Sequence, residues 1–180
     1  MIPNLRTVSP SGWQTYLPSQ KRFNILQSKN ALSLLSAAAQ AAYTPKTPQQ
    51  KADLLDLEGE ILMKQGRYAD ALLKFQEALK FRQSEGYAFS NLWVAQSYRN
   101  IGAANYCLGR YDEAFRCHEL ALRIRKTVLG EYHVLSSDSY ENMGVVLRAK
   151  GDYQQALIYL QKALDITTLR TVLVQHSGQF

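Results

Sequence analysis

Small and apolar residues recur along the chain at the spacing of one helix face. Ala71, Phe75 and Ala78 are separated by four and then three residues, which places them on the same side of an α-helix. The spacing returns at 31–38, 114–121 and 156–163. We predict helices at roughly 22–43, 48–64, 68–83, 91–107, 111–128, 134–149 and 153–170.

Three segments repeat one another with periods of 43 and then 42 residues. Each has a glycine, a tyrosine two positions later and an alanine five positions later: Gly66, Tyr68 and Ala71; Gly109, Tyr111 and Ala114; Gly151, Tyr153 and Ala156. A second glycine lies seven residues before each of these glycines, and a second alanine twelve residues after it: Gly59, Gly102 and Gly144; Ala78, Ala121 and Ala163. Glycine inside a helix costs about 1 kcal/mol relative to alanine. The register therefore predicts helical hairpins that cross closely at the first glycine and turn at the second, with tyrosines that pack the hairpin and alanines that let the next hairpin dock.

This pattern resembles the tetratricopeptide repeat, which has a glycine within its first helix, Gly-x-Tyr in its turn and A-x-x-x-F on its second helix. His118 and Leu160 stand where that phenylalanine is expected, and no proline closes the second helices. Residues 121–144 resemble specifically the extended repeats of the kinesin light chain family, which bind cargo peptides, although Val134 replaces a proline. The resemblance implies an all-α, right-handed solenoid of antiparallel hairpins with about seven helices, acting as a non-enzymatic adaptor for protein partners.

Proline and charge divide the chain into four regions. We assign 1–20 to an irregular basic leader, 21–47 to a degenerate repeat helix and loop, 48–170 to three hairpins and 171–180 to a C-terminal tail. All five prolines lie at or before Pro48, and Thr47 with Pro48 and Gln50 makes a good helix start.

The entire net charge of +6 lies in residues 1–52, which hold six basic residues and no acidic one. Three interpretations stay open: a leader to a degenerate repeat in a cytoplasmic protein, a mitochondrial transit peptide, or a basic tail of a nucleic-acid-associated scaffold. Nucleic-acid binding by the repeats themselves is disfavoured, because residues 53–180 are neutral overall. No apolar run approaches the length of a membrane span.

In repeats of this kind the first helix of each hairpin lines a concave groove, and positions at fixed offsets from its glycine share one face. These positions are Asp53, Asp56, Leu57, Glu60 and Met63; Gln96, Arg99, Asn100, Ala103 and Tyr106; Asp138, Glu141, Asn142, Val145 and Arg148. Their charge is about −3, which favours an extended, neutral or basic peptide. Asn100 and Asn142 hold equivalent positions and suit either a peptide backbone or an inter-repeat hydrogen bond, and Tyr106 could anchor a ligand side chain.

The groove does not fit the carboxylate clamp with which some tetratricopeptide repeats hold the acidic tails of heat-shock chaperones. Only Asn100 matches, since Asp56, Glu60, Asp138 and Asn142 occupy the other clamp positions. Carboxylates there would repel an anionic tail, so we predict no clamp.

The sequence contains no motif that indicates catalysis, cofactor binding or metal binding. The three histidines share no face, and no phosphate-binding loop or metal motif is present. Cys107 and Cys117 lie where small apolar residues pack, so we predict packing roles for both. The C-terminal end leaves three alternatives open: Leu169, Val172 and Leu173 meet another subunit as a homo-oligomer, fold back on Ala163, or belong to a longer array.

Overall fold

The computed structural model describes residues 47–84 and 92–177, with side chains up to residue 169 and at 171. Six α-helices occupy these residues: α1 Pro48–Lys64, α2 Tyr68–Ser84, α3 Leu92–Cys107, α4 Tyr111–Leu129, α5 Val134–Lys150 and α6 Tyr153–Ser177. They form three hairpins, α1–α2, α3–α4 and α5–α6, each packed against the next. The all-α solenoid predicted from the sequence is confirmed. The predicted helix at 22–43 and the leader at 1–20 lie outside the described residues.

The start of α1 follows the predicted capping chemistry. The Thr47 hydroxyl accepts a hydrogen bond from the backbone N–H of Gln50 (3.2 Å), and the Gln50 side chain accepts one from the backbone N–H of Thr47 (3.3 Å). Pro48 occupies the first helical position, where no N–H is needed. The end of α6 differs from the prediction, because this helix continues to Ser177. Thr168 stands where a proline would stop it.

The two sets of repeated glycines have different structural roles. Those of the turns, Gly66, Gly109 and Gly151, adopt φ values of 74° to 85°, which other residues rarely tolerate. Those within helices make room for the partner helix. A Cβ atom on Gly102 would lie 2.6 Å from the His118 ring, and one on Gly144 would lie 2.7 Å from the Leu160 side chain. The predicted close crossing of the two helices is therefore confirmed.

The second set of alanines lies in the core of the hairpins, and their predicted role in docking the next hairpin stays a prediction. Ala78 clusters with Ala52 and Leu55 of its own hairpin, and Ala163 clusters with residues of α5 in its own hairpin and with Leu122 of the preceding one. The leucines that follow Ala78 and Ala121 contact the next hairpin. Leu122, for example, packs against Tyr140 and Met143 of α5. Leu79 and Leu122 thus join neighbouring hairpins, whereas Leu164 of the last described hairpin is 58% exposed.

Two packing predictions fail at exposed positions. Tyr153 is 70% exposed, whereas its counterparts Tyr68 and Tyr111 are half-buried. Cys107 is exposed, whereas Cys117 packs against the core shared by the first two hairpins. The folded-back arrangement of the C-terminal end is also excluded, since α6 is continuous and Leu169 is 50% exposed. None of the described helices combines the length and apolar character needed to cross a membrane.

Candidate functional site

The face predicted to bind a partner lies on the first helix of each hairpin, α1, α3 and α5, and we call it the groove face. Its residues differ in accessibility. Asp53, Asp56, Leu57 and Asn100 are buried; Glu60, Met63, Gln96, Arg99, Ala103, Tyr106, Asp138, Asn142 and Val145 are half-buried; Glu141 and Arg148 are exposed. The accessible polar part of the groove face therefore lies mainly on α3 and α5.

The α1 end of the groove face is occupied by an arginine from α2. The Arg82 side chain is 1% exposed and pairs with Asp56 at 2.7 Å and with Asp53 at 2.9 Å. It also donates a hydrogen bond to the Ser97 hydroxyl on α3 at 2.5 Å. Because Arg82 joins both helices of the first hairpin to the second hairpin, this network fixes the junction between them.

Burial has the largest effect on the Asp56 carboxyl of this network. Desolvation raises the pKa of the Asp56 carboxyl, and the positive charge of Arg82 opposes that rise. Asn100 is drawn into the same network, because its amide donates to Asp56 at 3.4 Å and accepts from Gln96 at 3.0 Å. The inter-repeat hydrogen bond, one of the two sequence alternatives for Asn100, is thus present.

Arg82 is not among the residues predicted for the groove face, because it lies on a second helix. A signal for it was present, since Arg82 and Arg125 each follow a core alanine by four residues and so continue the buried face of their helices. A basic residue at a core position in two successive repeats predicts a buried ionic contact.

Arg125 holds the position of Arg82 in the second hairpin, but its surroundings differ. Its side chain donates to the Ser139 hydroxyl at 2.8 Å and to the Leu135 carbonyl at 2.9 Å. Ser139 corresponds to Ser97, so the contact to the next hairpin is preserved. Among the described residues no carboxylate lies within 4.0 Å of Arg125, because Gln96 and Arg99 stand where the first hairpin has Asp53 and Asp56.

His118 lies on α4, near Arg99 and Arg125, and is 3% exposed. Its Nδ1 atom is buried without a hydrogen-bond partner among the described residues. Burial, and then the charges of Arg99 and Arg125, lower its pKa to about 4. Burial, and then Arg99, also lower the pKa of Arg125 to about 10, while Asp138 acts in the opposite direction. The second hairpin therefore concentrates positive charge near its groove face.

The third hairpin has the opposite arrangement, because it keeps the two carboxylates and lacks the arginine. Asp138 and Glu141 take the places of Asp53 and Asp56, but Thr167 stands where the arginine was. The Thr167 hydroxyl donates to the Ala163 carbonyl at 2.9 Å and lies 3.2 Å from the Ser137 hydroxyl. Asp138 and Glu141 make no ion pair with the described residues, so the groove face carries negative charge here.

Asn142 occupies the same position as Asn100 and differs from it in its surroundings. It is half-buried and makes no hydrogen bond to the described residues. Glu141 and Arg148 flank it on exposed positions of α5. A side-chain amide can donate and accept at once, so Asn142 is available to pair with the backbone of a bound segment.

The apolar part of the groove face is modest. Tyr106 is half-buried, and its ring centroid lies 5.7 Å from that of Tyr111. Ala103 and Val145 are also half-buried. The described residues hold no group of three histidine, cysteine, aspartate or glutamate side chains that could bind a metal ion.

Two family models match this chain. A tetratricopeptide repeat model matches residues 93–168, and a second model of that repeat matches residues 52–83. Together the two matches cover more than half of the 180 residues.

This chain is also similar to individual proteins of known sequence or structure. Protein REDUCED CHLOROPLAST COVERAGE 2 of Arabidopsis thaliana is 41% identical over 58 residues, which is 32% of this chain and 3% of that protein. The crystal structure of BtubC (BKLC) from P. vanneervenii matches with a TM-score of 0.69 and 23% identity, over 82% of this chain and 57% of that one. The tetratricopeptide repeat domain of Arabidopsis FLU matches with a TM-score of 0.59 and 21% identity, over 69% of this chain and 98% of that domain. At these identities the structural matches establish the fold.

Proposed function

Because this chain belongs to the tetratricopeptide repeat family, we propose that it is a non-enzymatic interaction module that binds an extended peptide segment of a partner on its groove face. The observation that supports this most directly is the contrast between Asn100 and Asn142. The first amide is buried and partnered, whereas the second is half-buried and has no partner among the described residues.

The binding segment lies across α3 and α5 in this proposal. The Asn142 amide donates to a backbone carbonyl of the peptide and accepts from a backbone N–H, which holds the chain without selecting its sequence. Val145 and Ala103 provide apolar contact, and Tyr106 is positioned to pack against a ligand side chain.

The charge of the ligand follows from which groove charges are already neutralised. The sequence predicts a neutral or basic ligand from five carboxylates, but Asp53 and Asp56 are buried against Arg82. The carboxylates of Asp138 and Glu141 make no ion pair with the described residues. We therefore assign the preference for neutral or basic ligand side chains to the α5 end of the groove face.

A selection from random peptides tests this function. A phage-displayed library of random twelve-residue peptides is passed over the immobilised full chain, and survivors are competed with a synthetic copy of the most enriched peptide. We expect enrichment of peptides that are displaced by their own synthetic copy and that bind unchanged to Gln76→Ala, which removes an exposed amide on α2. No enrichment above uncoated beads would contradict the proposal.

The alternative of a nucleic-acid-associated scaffold depends on residues 1–52, nearly all of which lie outside the described residues. It stays a prediction, as do the resemblance to kinesin light chains and the cellular compartment.

A further inference from the structure

The last described helix, α6, exposes apolar side chains at positions that α2 and α4 bury. Leu157 and Leu164 are 67% and 58% exposed, whereas Leu72 and Leu122 at corresponding positions of α2 and α4 are at most 8% exposed. Tyr153 is exposed as well, although the tyrosines that begin α2 and α4 are half-buried. We call the surface formed by Tyr153, Leu157 and Leu164 the α6 face.

The corresponding faces of α2 and α4 are covered by helices of this same chain. Leu72 belongs to a core cluster with Ile101 of α3, and Leu122 belongs to one with Met143 of α5. A face of this composition therefore accepts an amphipathic helix of this chain as its partner.

Not every exposed apolar residue of α6 needs a partner to explain it. Ile158 is 55% exposed, but its counterpart Leu73 on α2 is 65% exposed although another hairpin follows. Lys162 and Asp165 lie on the same side of α6 as Ile158 and make that side charged. The α6 face differs from it because its counterparts are buried.

The spacing of side chains along the α6 face is the same in both directions. Successive residues on this side of the helix are separated by four, three, one, three and four positions: Tyr153, Leu157, Leu160, Gln161, Leu164 and Thr168. The midpoint of this pattern lies between residues 160 and 161. A two-fold axis at that midpoint places Leu157 opposite Leu164 of a second, antiparallel copy, and Tyr153 opposite Thr168 of that copy.

Charge does not oppose such a pair. The exposed residues that border the α6 face, Gln154, Gln161 and Thr168, are all uncharged. The Asp165 carboxylate accepts a hydrogen bond from the Gln161 amide at 2.8 Å, within the same helix. Two copies can therefore approach each other without bringing like charges together, and polar amides lie at the rim of the contact.

We infer that the α6 face is an interface at which two copies of this chain pair their α6 helices in antiparallel, about a two-fold axis between residues 160 and 161. A second copy fits the face because the pattern of side chains is self-complementary and uncharged. This interface is separate from the proposed peptide binding, because the groove face lies on α1, α3 and α5.

Disulfide trapping at the two-fold axis tests the interface. Cys107 is exposed, so each variant also carries Cys107→Ser. Gln161→Cys places a thiol next to its own counterpart in the pair, whereas Gln76→Cys places one at an exposed position of α2. Under mild oxidation we expect Gln161→Cys to form a covalent dimer roughly tenfold faster than Gln76→Cys, because pairing raises the effective thiol concentration.

A mixing experiment tests the antiparallel register. The two copies of Leu157 lie seven positions apart along the proposed pair, which is about 10 Å at 1.5 Å per residue and exceeds the roughly 7 Å that a disulfide can span between Cα atoms. Leu157→Cys alone should therefore trap slowly, whereas a mixture of Leu157→Cys and Leu164→Cys should form a mixed dimer quickly. Faster trapping of Leu157→Cys alone than of the mixture would overturn the antiparallel arrangement.

A pair of matched variants shows whether the trapped dimer depends on the α6 face. Added to Gln161→Cys, Leu157→Glu should abolish the rapid trapping, and Ile158→Glu on the charged side of the same helix should preserve it. Trapping of Gln161→Cys no faster than that of Gln76→Cys would overturn the inference and indicate that a further hairpin or a different protein covers the α6 face.

Discussion

Arg82 near the end of α2 forms a 2.7 Å ion pair with Asp56 in the middle of α1, and both side chains are at most 3% exposed. Removing one partner of a buried pair strands the other charge, which typically costs about 3–5 kcal/mol. We therefore expect Arg82→Met to lower the free energy of unfolding by about that amount in urea denaturation. Arg123→Met, which removes an exposed arginine from α4, provides the control. A loss below about 1 kcal/mol would mean that the network does not stabilise the junction.

His118 makes stability depend on pH. Its pKa falls from 6.5 to about 4 in the folded chain, chiefly because burial disfavours the charged ring. The unfolded chain therefore binds this proton more strongly. The contribution of His118 to the free energy of unfolding is complete above pH 6.5 and is lost as the pH falls toward 4, by about 3 kcal/mol at 1.36 kcal/mol per pKa unit.

The first hairpin suggests the variant that removes this dependence, because Phe75 occupies the same repeat position as His118. Between pH 7 and pH 4, we expect the free energy of unfolding of His118→Phe to fall by about 3 kcal/mol less than that of the wild type, as measured by urea denaturation across that range. The reciprocal change Phe75→His should add a similar loss of stability at low pH, since burial is the largest cause of the lowered pKa of His118. Parallel pH profiles for wild type and His118→Phe would contradict the assignment.

Gly59 tests the close crossing of α1 and α2. A Cβ atom at this position would collide with the Phe75 ring. Alanine normally favours a helix by about 1 kcal/mol over glycine, but here we expect Gly59→Ala to destabilise the chain by roughly 1–3 kcal/mol through overpacking.

A control separates packing from backbone conformation. Gly66 lies in open space with φ of 75°, a conformation that asparagine tolerates better than most residues. Thermal unfolding should therefore show a smaller effect for Gly66→Asn than for Gly59→Ala. The reverse order would contradict a packing role for Gly59.

The final helix exposes two leucines at positions that the earlier hairpins bury. Leu157 is 67% and Leu164 58% exposed, whereas Leu72 and Leu122 at the corresponding positions pack against the next hairpin. We expect this face to bind the same face of a second copy. Light scattering should then show a molar mass that rises with concentration for the wild type and stays monomeric for Leu164→Glu. Leu73→Glu, at an exposed leucine of α2, should behave as the wild type does; a monomer at every wild-type concentration would contradict this prediction.

Much of the fold is predictable from the sequence because its determinants are local. The capping box at Thr47 and the register of Gly59 and Gly66 specify where helices begin, cross and turn. The bounds of α1 match the prediction at both ends. The end of α6 was missed because only the absence of a proline marked it.

The candidate site is less predictable because it depends on contacts between helices. Helical spacing placed Asp56 and Asn100 correctly on α1 and α3, but spacing within one helix does not show that Arg82 reaches them from another. In the buried network Arg82 pairs with Asp53 and Asp56, which lowers the negative charge of the groove face. The network also gives Asn100 a hydrogen-bond partner that Asn142 lacks among the described residues. Equivalent positions in successive hairpins thus acquire different chemistry from their partners.

The affinity of a selected peptide for wild type and Asn142→Ala tests the central proposal most directly. Calorimetric titration should give a dissociation constant roughly tenfold higher for Asn142→Ala, because the peptide backbone loses a hydrogen-bonding partner. Gln76→Ala should bind as the wild type does, and both variants should match the wild type in thermal unfolding. Equal affinities for wild type and Asn142→Ala would show that the groove face of α5 does not bind the peptide.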